Sequence, residues 1–362
     1  MVSAVTARDQ LRASFFKTLR RAFATSDGRE IAADALSGLL AWRPPVPAID
    51  APLPYDDLGP SGQETSRTFR GTVFITARFR TGSTLVWNLF RHVDGCVSYY
   101  EPLNERRWFD PHARGDRLDP THRDVEDYWR EYEGLSDLGA WHREDWTDRA
   151  LLLTESAWDP GLRQYFARLI DHASPKRAVL QCNRIDFRLP WLRRQFPGAT
   201  LVHLYRHPRD QWCSALVKPA EVPRDITMDR FEPHDHFYLR RWALDLQHHF
   251  PFLSPRVEPS PYRIFYYIWR LSYLFGAGYA DHSLAFERLL ASPAEEITKL
   301  MAVAGIDADL DRLVPLVSQA PVGRWRQFAD DSWFREQESA CETVLTAFFQ
   351  GQAAPADRSS AG

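Results

Sequence analysis

Residues 74 to 90 read FITARFRTGSTLVWNLF. An apolar run passes through a short polar knot, Arg80-Thr81-Gly82-Ser83-Thr84, into a helical pattern. Strand, glycine-containing turn and helix in that order form a cradle for an oxyanion. Gly82 lets the backbone bend inward, successive amides converge on one point, and the helix dipole favours negative charge there. Ser83 and Thr84 add hydroxyl donors, and Arg80 adds a planar fork suited to phosphate or sulfate oxygens. A plain Ser/Thr helix cap after a strand has the same composition, so the knot alone leaves both readings open.

From Gly71 onward, short apolar runs alternate with helical patterns: TVFITA, TLVWNLFRHV, VSYY, RAVLQC, LPWLRRQF, TLVHLY, a helix from Pro208, then SLAF and a helix starting near Ser292. This alternation predicts an α/β chain, a P-loop-like three-layer fold with a central parallel sheet. The expected organisation is an N-terminal helical arm and linker over 1–70, a main domain over 71–330 with a Trp-rich cap at 105–175, and a C-terminal helix with a disordered tail over 331–362. Within the arm, Leu11, Phe15, Phe16, Leu19 and Phe23 recur near helical spacing opposite basic residues. That helix packs on the main domain or makes weak contact with an anionic membrane surface. Residues 43–63, rich in Pro, Gly and Asp, read as a linker. The aromatic stretch Tyr262–Ala280 is interrupted by Arg263 and Arg270, which favours a buried helix over a membrane span.

A formal net charge of -3 gives no global attraction for nucleic acid, so any anion site must be built from locally placed Arg and Lys. The four cysteines, Cys96, Cys182, Cys213 and Cys341, are widely spaced, and the N-terminus lacks the uninterrupted apolar core of a signal peptide. Both features point to a cytoplasmic protein, and the near-neutral charge to a small partner.

A second grip follows in TLVHLYRHPRDQWCSAL, where a strand again leads into a helix, Pro208 suits the first helical position and Arg206 stands just before it. Ser214 lies about two turns into that helix, placed to share one phosphate with Arg206. Two anion grips at the carboxyl ends of strands in one sheet suggest a ligand with phosphates at two separated positions. A triphosphate P-loop would instead carry GxxxxGK[ST] and an acid for Mg²⁺, and here no Lys follows Gly82. A kinase acting on a small alcohol is therefore the weaker alternative, as is a non-catalytic nucleotide-binding protein.

At these residues the chain resembles the sulfotransferase family, whose members use 3'-phosphoadenosine 5'-phosphosulfate (PAPS), in its bacterial or carbohydrate-type branch. RTGST with its helix, through Leu85, looks like the family's 5'-phosphosulfate loop, and Arg206 with Ser214 matches its 3'-phosphate pair. LAFERLLASPAEEITKLMAVAGI is similar to its later strand and helix, and VGRWRQF at 322–328, which brings Arg324, looks like its late Gly-x-Trp segment near the nucleotide. The resemblance implies PAPS as co-substrate, no metal, and an acceptor hydroxyl on a glycan, lipid or small metabolite.

Sulfuryl transfer asks for alignment and charge stabilisation, and the moving group carries less charge than a phosphoryl, so a metal is dispensable. Arg80 would offset charge growing on the leaving phosphate oxygen, with Thr84 and the loop amides holding that phosphate. The acceptor proton needs a base. The stretch LQCNRIDFRLP has Arg184 where the aryl and steroid branch carries a His, whereas SYYEPLNE matches the Glu-Pro of the carbohydrate and bacterial branches. Glu101 is the expected base, Glu105 its nearest understudy, and a salt bridge from Glu101 to Arg184 the competing reading. HDHF at 234–237 and QHHF at 247–250 lack further ligands at metal-binding spacing and are expected to line or close the acceptor pocket. The tryptophans of 105–160 read as packing.

Overall fold

The computed structural model describes Tyr55, Leu58 and residues 67–115, 125–317, 320 and 322–353. The helix expected at 9–23 and the residues after 353 lie outside them. So does the linker at 43–63, except for Leu58, buried in the core, and Tyr55, which packs against it.

Five parallel strands form one sheet in the order β2-β3-β1-β4-β5: β1 Val73–Ala77, β2 Cys96–Tyr100, β3 Arg177–Cys182, β4 Thr200–Tyr205 and β5 His282–Ala285. The strands read as continuous apolar runs because both faces of the sheet are covered. In β1, Phe74 enters one apolar cluster, and Val73, Ile75 and Ala77 enter the other. On the first face lie α2 (Pro160–Ala173), α3 (Leu189–Gln195) and α6 (Pro261–Tyr279), with α5 (Leu239–Leu246) packed on α6. On the second lie α1 (Ser83–Arg91) and α8 (Pro293–Ala304).

Helix α6 replaces the bilayer with protein as its apolar surroundings. Pro261 opens it, Ser260 caps its Arg263 amide, and Arg270, 1% exposed, pairs with Glu342 of the C-terminal helix α9 (Asp331–Ala353) at 3.0 Å. No described helix is long and apolar enough to cross a membrane. Residues 130–147 form short 3-10 turns, with Trp146 buried in the core, as is Trp108 in the segment after β2.

The topology positions a crevice. The chain leaves β1 through α1 towards β2, and leaves β4 through α4 (Pro208–Ala215) towards β5, in opposite directions across the sheet. A space opens between such diverging connections at the carboxyl ends of the strands.

Candidate active site

Turns after all five strands line a single cleft of about 550 Å³ at this edge, a size that suits a nucleotide-sized ligand. One half is basic, built from Arg80, Arg206 and Arg324 with Ser83, Thr84 and Ser214; the other carries Glu101, Asn183 and Arg184 between aromatic walls.

The basic half begins where β1 ends. Arg80 and Gly82 both have positive φ, 66° and 94°, so the backbone doubles back before α1. Such a conformation is costly for a residue with a side chain and concentrates at functional sites. Gly82 caps α1 with no side-chain acceptor, which leaves the helix's first turn without the usual Ser or Asp cap. A Cβ at Gly82 would stand 2.2 Å from the Phe286 ring. Gly82→Ala is accordingly expected to lower stability by about 1–3 kcal/mol, read as a shifted urea midpoint, because the rigid ring must move.

Arg80 Nε donates to the carbonyl and hydroxyl oxygens of Ser214, at 3.1 and 3.3 Å. One Arg206 nitrogen donates to the Arg80 carbonyl at 3.2 Å, and the Arg206 carbonyl accepts from Trp269 Nε1 at 2.9 Å. The two grips are thus tied into one unit. Arg324 arrives from a distant segment because Asp210 in α4 accepts hydrogen bonds from the amides of Gly323 (2.7 Å) and Trp325 (3.3 Å). Helix α4 is itself fixed by Arg209, which forks onto Glu338 of α9 at 2.7 and 2.6 Å.

One expected contact fails. Both the amide and the hydroxyl of Thr81 donate to the Arg78 carbonyl, at 3.3 and 2.7 Å, and the side chain, 1% exposed, does not line the cleft. Thr81 braces the loop from behind. Ser83, Thr84 and Leu85 do line the cleft.

In the other half, Glu101 follows β2 with φ of 39°, a second strained residue in the same cleft. Its carboxylate, on a residue 5% exposed, accepts from Asn183 Nδ2 at 2.7 Å, Arg184 at 2.8 Å and Asn104 Nδ2 at 2.9 Å. The ion pair weighed as the competing reading is therefore present, inside the cleft. Arg184 also binds Glu105 at 2.6 Å, and Glu105 accepts from the Tyr238 hydroxyl at 2.6 Å. Tyr238 has φ of 61°, a third strained residue lining this space. Burial, reinforced by Glu105, pushes its phenol up to about 12. Tyr100 joins the halves: its hydroxyl lies 3.2 Å from that of Thr84, and its ring stacks on Tyr128 at 4.7 Å. Burial, with Glu101 adding to it, holds the Tyr100 phenol well above its usual range.

His236 and Phe237 of the HDHF run line the cleft. Among the described residues, no three His, Cys, Asp or Glu side chains gather as a metal cage. The sequence reading left out Asn104 and Asn183, the amides that hold Glu101. SYYEPLNE and LQCNRIDFRLP contain both, but only strand pairing reveals that β2 and β3 are neighbours.

Residues 72–310 match the sulfotransferase family. The chain belongs to that family. Among solved structures it is similar to the sulfotransferase domain from the curacin biosynthetic pathway, at 14% identity over 78% of this chain and 98% of that one, with a TM-score of 0.40. It is also similar to a sulfotransferase from Alicyclobacillus acidocaldarius, at 15% identity over 79% and 97%, TM-score 0.36. A third is a sulfotransferase from Mycobacterium avium, at 12% identity over 79% and 77%, TM-score 0.41. No curated protein matches the sequence.

Proposed function

We propose that this sulfotransferase moves the sulfuryl group of PAPS in line onto a hydroxyl of a glycan, glycolipid or small metabolite, leaving a sulfate ester and 3',5'-adenosine bisphosphate. The observation that carries this reading is the joined pair of anion grips. Arg80, Ser214 and Arg206 form one hydrogen-bonded unit facing the same cleft as a buried carboxylate. The donor set fits the nucleotide: three arginines and three hydroxyl side chains for two phosphate positions, with Phe286 and Leu316 as an apolar wall beside them. When bound, PAPS supplies an electrophilic sulfuryl group with a phosphate oxygen as its leaving group.

The protein's own part is alignment and charge. Arg80 and the first amides of α1 hold the phosphate end, and Arg80 stabilises negative charge there as transfer proceeds. Arg206 and Ser214 hold the 3'-phosphate, with Arg324 on the same side. Thr84, through Tyr100, reaches from the phosphate loop to the acceptor side. Glu101 takes the proton of the acceptor hydroxyl. Asn104, Asn183 and Arg184 fix its carboxylate at the cleft wall, within reach of that hydroxyl. Arg184 serves as the brace of both acids, with Glu105 the outer one. The four cysteines are unpaired, in keeping with a cytoplasmic setting.

The test is transfer of radiolabelled sulfate from PAPS to a panel of sugars, lipids and phenols in the presence of a metal chelator. Labelled product without metal supports the reading. Phosphorylated product that requires ATP and Mg²⁺ would replace it with the kinase.

A further inference from the structure

The corner where β5 runs into α7 (Phe286–Ala291) touches three parts of the basic half at once. The Phe286 ring lies 5.0 Å from the Arg206 guanidinium and fills the space beside Gly82. Next to it, Glu287 is fully buried, at 0% exposed. Its Oε1 accepts from the His207 amide at 2.9 Å, while Oε2 meets no donor among the described residues. Parallel pairing of Tyr205 with Ala285 brings the two turns side by side. A carboxylate oxygen buried without a partner is costly, so its retention calls for a reason.

The charges that act on this carboxyl are Arg206, just after β4, and Asp210 in the first turn of α4, while His207 between them contributes its amide. Burial pushes Glu287 up to about 7, against the pull of Arg206 and with a small push from Asp210. Burial also drives His207 down to about 4, so it is neutral near pH 7 and Arg206 is the cation that Glu287 meets.

We propose that Glu287 is the positioning residue of the anion grip at Arg206, fixing the β4–α4 turn through the His207 amide and setting by its charge how strongly Arg206 holds a phosphate. This rests on the reading of Arg206 as a phosphate contact. The ionised carboxylate offsets part of the arginine's charge, and the protonated form does not. Phosphate affinity therefore falls as pH rises through the range where Glu287 ionises. By reciprocity, a phosphate at Arg206 favours protonation of Glu287, so binding takes up a proton.

The experiment is titration of the full chain, Glu287→Gln and Glu287→Ala with 3',5'-adenosine bisphosphate across neutral pH. Gln keeps an oxygen for the His207 amide and removes the charge. From about pH 6 to about pH 8, the unmodified protein is expected to lose roughly tenfold more affinity than Glu287→Gln. Titration of the ligand's own phosphates is common to both and cancels. At the upper pH, Glu287→Gln binds at least as tightly as the unmodified protein, and Glu287→Ala, lacking the acceptor, binds more weakly throughout. If Glu287→Ala fails to fold, the comparison with Gln decides alone. Parallel pH profiles for the unmodified protein and Glu287→Gln would overturn the proposal. An unmodified protein that binds no bisphosphate would overturn the nucleotide assignment itself, and this proposal with it.

Discussion

Glu101→Gln is expected to lower turnover by about 10²–10⁴-fold, the contribution of a positioned general base, while affinity for the bisphosphate stays essentially unchanged. The substitution is nearly isosteric. Its carbonyl oxygen can still accept from Asn183 or Arg184, but the side chain can no longer take a proton, and Arg184 keeps Glu105 as its counter-ion. Steady-state kinetics beside a binding titration separate the two effects. A Gln variant that transfers sulfate at the normal rate would return Glu101 to a structural ion pair. Asn183→Ala supplies a graded companion. It removes one of the donors that hold Glu101 and should reduce turnover less than loss of the carboxylate does.

The second large effect is expected at Arg80, and here the backbone dictates the better variant. Arg80 sits at φ 66°, so alanine would add strain, whereas glycine removes the guanidinium and relaxes the turn. Arg80→Gly should therefore cost little stability in urea, because relief of the strained turn offsets the lost hydrogen bonds to Ser214, while turnover drops by about 10²–10³-fold. Bisphosphate affinity should fall about tenfold or more as charge-assisted contacts disappear. Activity lost at nearly unchanged stability is the signature of strain held for function. A variant that keeps its activity would mean the arginine only ties the loop to Ser214.

Much of the framework was legible in the sequence, for a physical reason. Strands buried on both faces appear as uninterrupted apolar runs, so VFITA and TLVHLY were readable, as were the turns that follow them. The glycine and the arginine of the first turn could be picked out because their chemistry at a strand end is unusual. Orientation was less accessible. Thr81 sits among cleft-lining residues in sequence, yet its hydroxyl turns back to the Arg78 carbonyl, and only the dihedrals of the loop determine that. The surroundings of Glu101 were hidden for a different reason. Arg184 was named as a partner, but Asn183 stands 82 residues from Glu101 in the chain, and their meeting depends on the sheet order. Glu287 was invisible in the same way: it is an ordinary acidic residue at the start of a helix until β4 and β5 are set in parallel.

The most direct measurement is a calorimetric titration of the purified protein with 3',5'-adenosine bisphosphate, beside ATP with Mg²⁺, and with Arg206→Ala as control. The joined anion grips predict tight, metal-independent binding of the bisphosphate that the substitution abolishes. Binding of ATP with Mg²⁺ alone, or bisphosphate binding that survives Arg206→Ala unchanged, would contradict the assignment of this cleft to PAPS.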